Sequence, residues 1–230
     1  MAKIAIIPAR GGSKRIPRKN IRDFFGKPLI GYSIEKAIAC NLFDEVMVST
    51  EDEEIAEIAL HFGAKVPFLR SDQASDDYTT TAEVLIEVLG CYSEMGIDFQ
   101  WGCCIYPFTP LLNFTVFESA FKKMNELGRK SIFSVLEYSH PLERAIALSS
   151  KQNLILTPQN LSLRTQDAKK YFHDAGQFYW FEIKNFLNKK QLILPESSIY
   201  KLDPLEAQDL DTEIDWKLME LKYQYKQTHQ

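Results

Sequence analysis

Long apolar runs are missing from this 230-residue sequence: no stretch of about 18 apolar residues occurs, and only residues 3–8 form an apolar segment before Arg10. We therefore expect no transmembrane helix, no secretory signal peptide and a cytoplasmic location. An excess of positive charge is also missing, because 27 Lys and Arg face 31 Asp and Glu, a net charge of -4. A mildly acidic chain predicts no nucleic-acid partner, so any anionic ligand must be bound by a local cluster of cations.

Two familiar nucleotide-binding motifs are absent as well. The sequence contains neither a GxxxxGK[ST] loop nor a GxGxxG fingerprint, which removes support for a P-loop kinase or a dinucleotide-dependent dehydrogenase. The four cysteines form no CxxC pair, and we interpret them as free thiols in a reducing compartment rather than as metal ligands. A hydrophobic content of 45% without low-complexity tracts predicts one ordered domain over residues 1–230.

Apolar runs alternate with amphipathic segments over the first 140 residues. Predicted strands cover residues 3–8, 45–50, 64–69, 101–106 and 131–138, and predicted helices cover residues 28–40, 51–62, 81–92 and 113–127. This alternation predicts an α/β fold with a mostly parallel sheet covered by helices on both faces. Ligands of such sheets bind beyond the carboxyl ends of the strands, so the loops at 9–20, 70–80 and 107–112 should face the site.

The alternation stops after about residue 139. Residues 148–171 are polar, irregular and too long for an ordinary connection, which predicts an inserted arm at about 140–172. Strand character returns at residues 177–183 and 191–202, and an acidic junction then leads into an apolar helix at 214–225.

The first strand leads into a basic glycine loop. Six cations fall within thirteen residues, and no acid appears before Asp23: Arg10, Lys14, Arg15, Arg18, Lys19 and Arg22. Gly11 and Gly12 allow the backbone to approach a ligand and to turn its amides inward around an anion. Such a loop can neutralise a triphosphate and stabilise charge at its α-phosphorus. The alternative interpretation is a solvated basic loop near the end of a strand.

An acidic pair lies near the other end of the chain. Asp209 and Asp211 are two residues apart, so in an extended segment both carboxylates project from the same face. Such a pair, completed by phosphate oxygens and water, suits Mg²⁺. We expect Thr212 to cap the following helix, with Asp215 in its first turn. The alternative is an acidic helix N-terminus that binds no metal.

Three ordered motifs resemble the CMP-sialic acid synthetase family: PARGGSKRIPRKN at 8–20, Ala74-Ser75-Asp76 followed by threonines at 79–81, and DLDTEID at 209–215. The resemblance runs from residue 3 to about 217 and implies a Rossmann-like nucleotide-diphospho-sugar transferase sheet. Within the family, YFHDAGQFYW at 171–180 resembles the pseudaminic acid cytidylyltransferase branch. Sialic acid enzymes usually have a PNG-type motif where this chain has Asp174-Ala175-Gly176.

The resemblance implies that the chain joins CMP from CTP to pseudaminic acid, a nine-carbon acidic sugar, and releases pyrophosphate, in flagellin or surface glycosylation. It also implies a Mg²⁺ requirement and a homodimer whose arm crosses to the partner. Three alternatives stay open: a synthetase for sialic or legionaminic acid, a manno-octulosonate cytidylyltransferase, and a catalytically silent CTP-binding protein.

The motifs and the resemblance together predict individual site residues. Predicted for catalysis are Arg10, Lys14, Lys19 and Asp211, and for metal binding Asp209 and Asp211. Predicted for nucleotide binding are Ala9, Arg10, Gly11, Gly12, Ser13, Lys14, Lys19, Asn20, Arg70, Thr80 and Thr81. Predicted for sugar binding are Tyr106, Arg144, Arg164, Asp174, Gln177 and Tyr179.

Within the sugar set, Arg144 and Arg164 are candidates for the sugar carboxylate, because an arginine matches a carboxylate in two contacts. Each is alternatively a surface charge. Tyr106 and Leu112 depart from the family, since sialic acid enzymes have glutamine and often arginine there. His140 and His173 are possible general bases or structural histidines.

Overall fold

A six-stranded sheet forms the centre of the computed structural model, which describes residues 1–71, 79–150, 154–156 and 164–229. Its strands are β1 (Lys3–Pro8), β4 (Glu45–Ser49), β5 (Trp101–Ile105), β6 (Ser131–Glu137), β9 (Phe172–Glu182) and β10 (Ser198–Lys201). Their order across the sheet is β10-β6-β9-β5-β1-β4. Two small antiparallel ribbons stand apart: β2 (Asp23–Phe24) with β3 (Lys27–Pro28), and β7 (Ile146–Leu148) with β8 (Leu154–Leu156).

All neighbours in the large sheet are parallel except β9, which is antiparallel to both β5 and β6. The predicted mostly parallel sheet is therefore confirmed. Hydrophobic patterning carries no information on strand direction, so the reversed central strand was not foreseen.

In the described part of the chain, six α-helices accompany the strands: α1 (Leu29–Ala39), α2 (Glu53–His61), α3 (Thr81–Glu94), α4 (Thr115–Glu126), α5 (Ile183–Lys189) and α6 (Glu213–Thr228). Alternate residues of β1 divide between the two faces of the sheet. Ala5 and Ile7 pack with α1, α2 and α4, whereas Ile4 and Ile6 pack with α3 and α5. Burial on both faces explains why β1 is apolar from Ile4 onward. No helix in the described residues is both long and apolar enough to cross a bilayer.

The buried residues of α6 belong to a cluster separate from the two that cover the large sheet. Trp216 and Met219 lie in this third cluster with Phe24 and Leu29, beside the β2–β3 ribbon and the start of α1. The helix therefore packs against the segment that follows the basic loop, and this brings the acidic junction to that loop.

Two predicted strands are wrong or reduced. Residues 64–69 form only an isolated bridge, between Met47 and Lys65, because Pro67 cannot donate a ladder hydrogen bond. Residues 191–202 pair only over Ser198–Lys201, after Pro195. The short helix α5 was missed because its apolar residues continue the run of β9.

The predicted arm begins where β6 ends and returns to the sheet at β9. Within it, β7 and β8 pair only with each other among the described strands, and Ile146 and Leu148 are 60% and 59% exposed. Residues 151–153 and 157–163 lie outside the described residues. The role of the arm stays a prediction.

Adding one methyl group at Gly102 is expected to destabilise the fold. A Cβ there would lie 2.5 Å from the ring of Phe181, its neighbour on β9 in a buried part of the sheet. We expect Gly102→Ala to lower the free energy of unfolding by about 1–3 kcal/mol through overpacking. Urea denaturation measures this. The control is Gly90→Ala, in the interior of α3 with nothing within 4 Å of the new Cβ, which should instead stabilise by about 0.5–1 kcal/mol.

Candidate active site

A cleft of about 360 Å³ opens at the carboxyl edge of the sheet. It is lined by residues of the loops at 9–20 and 107–112, by Arg70 and Thr79, and by the acidic junction before α6. Its lining residues are Pro8, Arg10, Ser13, Lys14, Arg15, Ile16, Lys19, Asn20, Arg70, Thr79, Thr81, Val84, Tyr106, Pro107, Phe108, Asp209, Leu210 and Asp211. The sequence motifs from both ends of the chain therefore meet in one crevice, as the position of ligands in open α/β sheets predicts.

The basic loop and the acidic junction touch directly. The Nζ atom of Lys19 donates a hydrogen bond of 2.7 Å to the carbonyl of Leu210, and Arg15 forms an ion pair with Asp211 at 2.7 Å. Lys19 also lies over the ring of Phe108, 4.6 Å from its centroid. Burial lowers the pKa of Lys19, and the charges of Asp209 and Asp211 act against that shift. Lys19 is thus a partly desolvated cation held at the centre of the cleft.

The segment before α6 is fixed by its own capping interactions. Thr212 is the N-cap of the helix, and its hydroxyl accepts a hydrogen bond from the backbone N–H of Asp215. The Asp215 carboxylate in turn accepts from the N–H groups of Asp211 and Thr212, at 3.2 and 2.7 Å. The predicted cap is confirmed. Because Asp215 is occupied in this way, Asp209 and Asp211 are the carboxylates left at the cleft wall.

Asp209 is exposed at the cleft wall and lies beside a second carboxylate. Burial, followed by the charge of Asp211, raises the pKa of Asp209, although its Oδ1 accepts a hydrogen bond from the N–H of Leu210 at 2.8 Å. A Cβ added to Gly176 would lie 4.0 Å from the same oxygen, which places the HDAG segment of β9 next to this carboxylate. Gly176 has φ +59°, a conformation that other residues adopt at a cost.

The two carboxylates fit a divalent cation that shares its ligands with a substrate. Among the described residues, no group of three His, Cys, Asp or Glu side chains could hold a metal by itself. A bound cation would reduce the repulsion between the ionised forms of the two aspartates. Mg²⁺ commonly binds one or two carboxylates plus phosphate oxygens and water.

Asp209→Asn is expected to raise thermal stability in the absence of ligands. A carboxyl group with a folded-state pKa above its unfolded value destabilises the fold above the folded-state pKa, and this penalty disappears as the pH falls through the unfolded value of about 3.9. The variant should therefore melt at a higher temperature than the wild type at pH 7, and by a larger margin there than at pH 4. Differential scanning calorimetry at both pH values measures it; an equal or lower melting temperature at pH 7 contradicts the shift.

Only part of the basic loop faces the cleft. Arg18 is turned toward α2, where its guanidinium pairs with Asp52 and Glu54. Arg22 pairs with Glu213 and lies over the ring of Trp216. The cations of this loop that line the cleft are therefore Arg10, Lys14, Arg15 and Lys19.

In this structure the glycine pair, Gly11 and Gly12, does not form the anion nest that we expected from the sequence. The N–H of Gly11 donates to Oε1 of Glu51 at 2.7 Å, and Ala9 is fully buried, with its N–H bonded to the carbonyl of Ser49. Neither of these residues nor Gly12 lines the cleft, whereas Ser13 does. Gly11 is required for another reason, since a Cβ there would lie 2.3 Å from Asp52.

The other residues predicted to bind the nucleotide differ in whether they line the cleft. Asn20 is buried at the cleft, donates to the carbonyl of Arg10 at 3.0 Å, and its Oδ1 has no partner among the described residues. Arg70 is buried in the lining and bonds to Ser49 through Nε at 3.1 Å; burial lowers its pKa. Thr81 lines the cleft, but the hydroxyl of Thr80 caps α3 in a capping box with Glu83. Thr79, which we had not predicted, takes the lining position. The Ala74-Ser75-Asp76 motif lies outside the described residues.

Of the residues predicted to bind the sugar, Tyr106 alone lines the cleft. Its hydroxyl oxygen lies 3.0 Å from the hydroxyl oxygen of Thr81. Tyr179 is buried behind it, with ring centroids 5.6 Å apart, and donates to Asp174 at 2.6 Å. Gln177 is buried and donates to the carbonyl of Ala175. The structure therefore does not bring Tyr179, Asp174 or Gln177 to the cleft surface.

The arm residues also lie outside the cleft lining. Arg144 and Arg164 are exposed beside the arm, as are His140 and His173. The Nδ1 of His140 is 2.9 Å from the hydroxyl of Ser139, and that of His173 is 2.9 Å from the carbonyl of Asp174. None of these four side chains is among the described residues that line the cleft.

Residues 4–224 match the family model described as Cytidylyltransferase. The chain belongs to the cytidylyltransferase family. This cytidylyltransferase is 40% identical to the pseudaminic acid cytidylyltransferase of Campylobacter jejuni over 97% of both chains. It is 31% identical to CMP-N,N'-diacetyllegionaminic acid synthase of Legionella pneumophila, over 96% of this chain and 97% of that one.

A solved structure agrees on the fold. CMP:2-keto-3-deoxy-manno-octonic acid synthetase, complexed with CTP, superimposes with a TM-score of 0.69 at 17% identity, over 96% of this chain and 98% of that one. The resemblance drawn from the sequence motifs is confirmed, and the enzyme is a CTP-dependent nucleotidyltransferase.

Proposed function

We propose that this cytidylyltransferase transfers CMP from CTP to pseudaminic acid, giving CMP-pseudaminic acid and pyrophosphate. The observation that carries the chemistry is the convergence of Arg15 and Lys19 with Asp209 and Asp211 across one cleft. The sugar is proposed from the 40% identity to the Campylobacter jejuni enzyme, which exceeds the 31% identity to the legionaminic acid synthase.

The reaction is an in-line displacement at the α-phosphorus of CTP. The anomeric hydroxyl oxygen forms the new P–O bond, the bond to the β-phosphate bridge breaks, and the hydroxyl proton passes to a base or to water. Arg10, Lys14 and Lys19 bind the phosphates and stabilise the charge that develops on them. Holding both substrates in this alignment supplies much of the acceleration.

Asp209 and Asp211 would hold the Mg²⁺ ion. When bound, that ion would neutralise the phosphates and the leaving pyrophosphate. Arg15 pairs with Asp211. It would leave that carboxylate when the ion binds and would then be close to the triphosphate.

On the sugar side we propose that Tyr106 contacts the acceptor and that Tyr179 and Asp174 hold Tyr106 in place from behind. The sugar carboxylate needs a cation, which Arg144 or Arg164 would supply from the arm of a second copy in a homodimer. The exposed apolar residues of the arm support this arrangement, because Ile146 and Leu148 would be covered by a partner.

We also propose that the enzyme acts in the cytoplasm and that its product serves flagellin or surface glycosylation. These two statements rest on the resemblance to the pseudaminic acid branch.

A product assay tests the sugar assignment. The enzyme is incubated with CTP, Mg²⁺ and one nine-carbon acid at a time, and ³¹P NMR follows the CMP ester and pyrophosphate. We expect the highest kcat/KM with pseudaminic acid, with a smaller value for legionaminic and sialic acids. A preference for either of the latter contradicts the sugar assignment but not the reaction. CTP binding measured by calorimetry without turnover of any acid contradicts the reaction itself.

A further inference from the structure

A second cavity, of about 250 Å³, lies on the other side of the loop at residues 107–112. Residues 110–114 form one wall, and Tyr32 and Lys36 of α1 with Tyr223, Lys226 and Gln227 of α6 form the others. The same loop contributes Pro107 and Phe108 to the active-site cleft. Nothing in the proposed reaction uses this cavity.

Two lysines meet inside the cavity. The Nζ atom of Lys36 donates to the carbonyl of Pro110 at 2.8 Å, and that of Lys226 donates to the carbonyl of Leu111 at 2.7 Å. Because these carbonyls belong to consecutive residues, the two ammonium groups are held close together. Burial, followed by the charge of Lys226, lowers the pKa of Lys36 to about 8. Keeping Lys36 charged beside Lys226 therefore costs free energy.

No carboxylate compensates this pair among the described residues that line the cavity. The acid that acts on Lys36 is Glu35, whose carboxylate pairs with Lys27 at 2.5 Å. The remaining polar groups of the lining are neutral, and they include Asn113 and Gln227. Each ammonium group has three N–H donors, of which one contacts a carbonyl, so both retain donors for an anion.

We propose that this cavity is an anion site, in which Lys36 and Lys226 together bind a phosphate group of a small molecule. A phosphate fits because it offers several acceptor oxygens and a charge sufficient for two ammonium groups. The cavity is large enough for phosphate with a small substituent, and Tyr223 and Phe114 provide apolar surface beside it.

The loop connects this site to the cleft. The hydrogen bonds from Lys36 and Lys226 hold the carbonyls of Pro110 and Leu111 in place. An anion that draws the two lysines away breaks these hydrogen bonds and frees the loop. The same loop carries Phe108, whose ring contacts Lys19 in the cleft. The anion and CTP should then change one another's affinity by the same factor, since such coupling is reciprocal. Only this coupling rests on the proposed function; the anion site itself does not.

Lysine labelling tests the site without any turnover. The protein is treated with a limiting amine-acylating reagent at rising concentrations of inorganic phosphate and constant ionic strength, and peptide mass spectrometry gives the modification rate of each lysine. We expect saturable protection of Lys36 and Lys226. The internal control is Lys123, whose ammonium group also donates to one carbonyl, that of Ile199 at 2.9 Å, away from the cavity. Equal protection of Lys123, or none of Lys36, overturns the proposal.

Two variants sharpen the result. Lys226→Met should raise the phosphate concentration that half-protects Lys36 by about tenfold, because a charge-assisted hydrogen bond is lost, whereas Lys226→Arg should retain protection. A thermal melt checks that both variants are folded. An unchanged half-protection concentration in folded Lys226→Met overturns the site.

Repeating the titration with CMP distinguishes phosphate on a nucleotide from free phosphate. Repeating the phosphate titration in the presence of CTP tests the coupling: a half-protection concentration that CTP does not change overturns the coupling alone.

Discussion

Asp211→Ala is expected to lower kcat for pyrophosphate release by about 10²–10³-fold, the usual cost of removing one group that stabilises transition-state charge. Asp211 is one of the two carboxylates at the cleft wall, and its side chain contacts the basic loop through Arg15. Without it, Asp209 alone would hold the cation that shares the triphosphate. Steady-state measurement of pyrophosphate release with saturating CTP and sugar gives the change.

Glu213→Ala is the matched control for this variant. Glu213 is two residues further along, carries the same charge, and pairs with Arg22 outside the cleft lining. We expect its kcat to stay within about twofold of the wild type, because an exposed ion pair contributes little. A near-normal rate in Asp211→Ala would remove this carboxylate from the mechanism.

Lys19→Ala is expected to lower kcat/KM for CTP by a comparable factor, about 10²–10³-fold. The ammonium group of Lys19 is held by the carbonyl of Leu210 and by the ring of Phe108, so it is already desolvated and fixed before the triphosphate arrives. Preorganised charge of this kind stabilises a transition state more than a flexible surface lysine can. Lys27→Ala, which removes a partly exposed lysine that is paired with Glu35 outside the cleft lining, serves as the control.

The pH dependence gives a second measure of Lys19. Burial lowers its pKa, so Lys19 in the free enzyme loses its proton at a lower pH than the ordinary lysine value of about 10.4. Because kcat/KM reports ionisations of the free enzyme, its basic limb should begin below that value. Lys19→Arg should move the limb to higher pH, since an arginine stays charged. An unchanged basic limb in Lys19→Arg contradicts the assignment.

Much of the fold could be predicted because burial dictates composition. The run KIAIIP is apolar from Ile4 to Pro8 because β1 is covered on both faces, and its bounds agree with the structure. The helices are amphipathic because each covers only one face. The cap at Thr212 was predictable for a local reason, since a hydroxyl and a carboxylate three residues apart satisfy the first N–H groups of a helix.

The structure places several predicted site residues outside the cleft because their side chains make tertiary contacts that local sequence patterns do not encode. Arg18 is indistinguishable from its neighbours in a list of cations, yet Asp52 and Glu54 on α2 turn it away from the cleft. Thr80 and Thr79 are alike in sequence, and only the position of α3 makes one a cap and the other a lining residue. Tyr179 lies on a strand whose direction the pattern left open, and it is buried behind Tyr106.

The types of residue near the two ends of the chain already indicated that these segments meet at one site, although the sequence shows no distance between them. Cations at the start and paired aspartates near the end suit one metal-bound triphosphate, and α6 supplies the physical link by packing against the segment that follows the basic loop. Trp216 and Met219 hold the helix there, so the position of the acidic junction depends on apolar burial rather than on the ion pairs it makes.

The central claim is that a metal-bound triphosphate lies between these two groups. A crystal of the enzyme grown with CTP and Mn²⁺, with data collected at the manganese absorption edge, tests it most directly. We predict an anomalous peak between the carboxylates of Asp209 and Asp211, with the phosphates against Lys14 and Lys19. Phosphates bound elsewhere, or a manganese peak that neither aspartate contacts, would contradict the account.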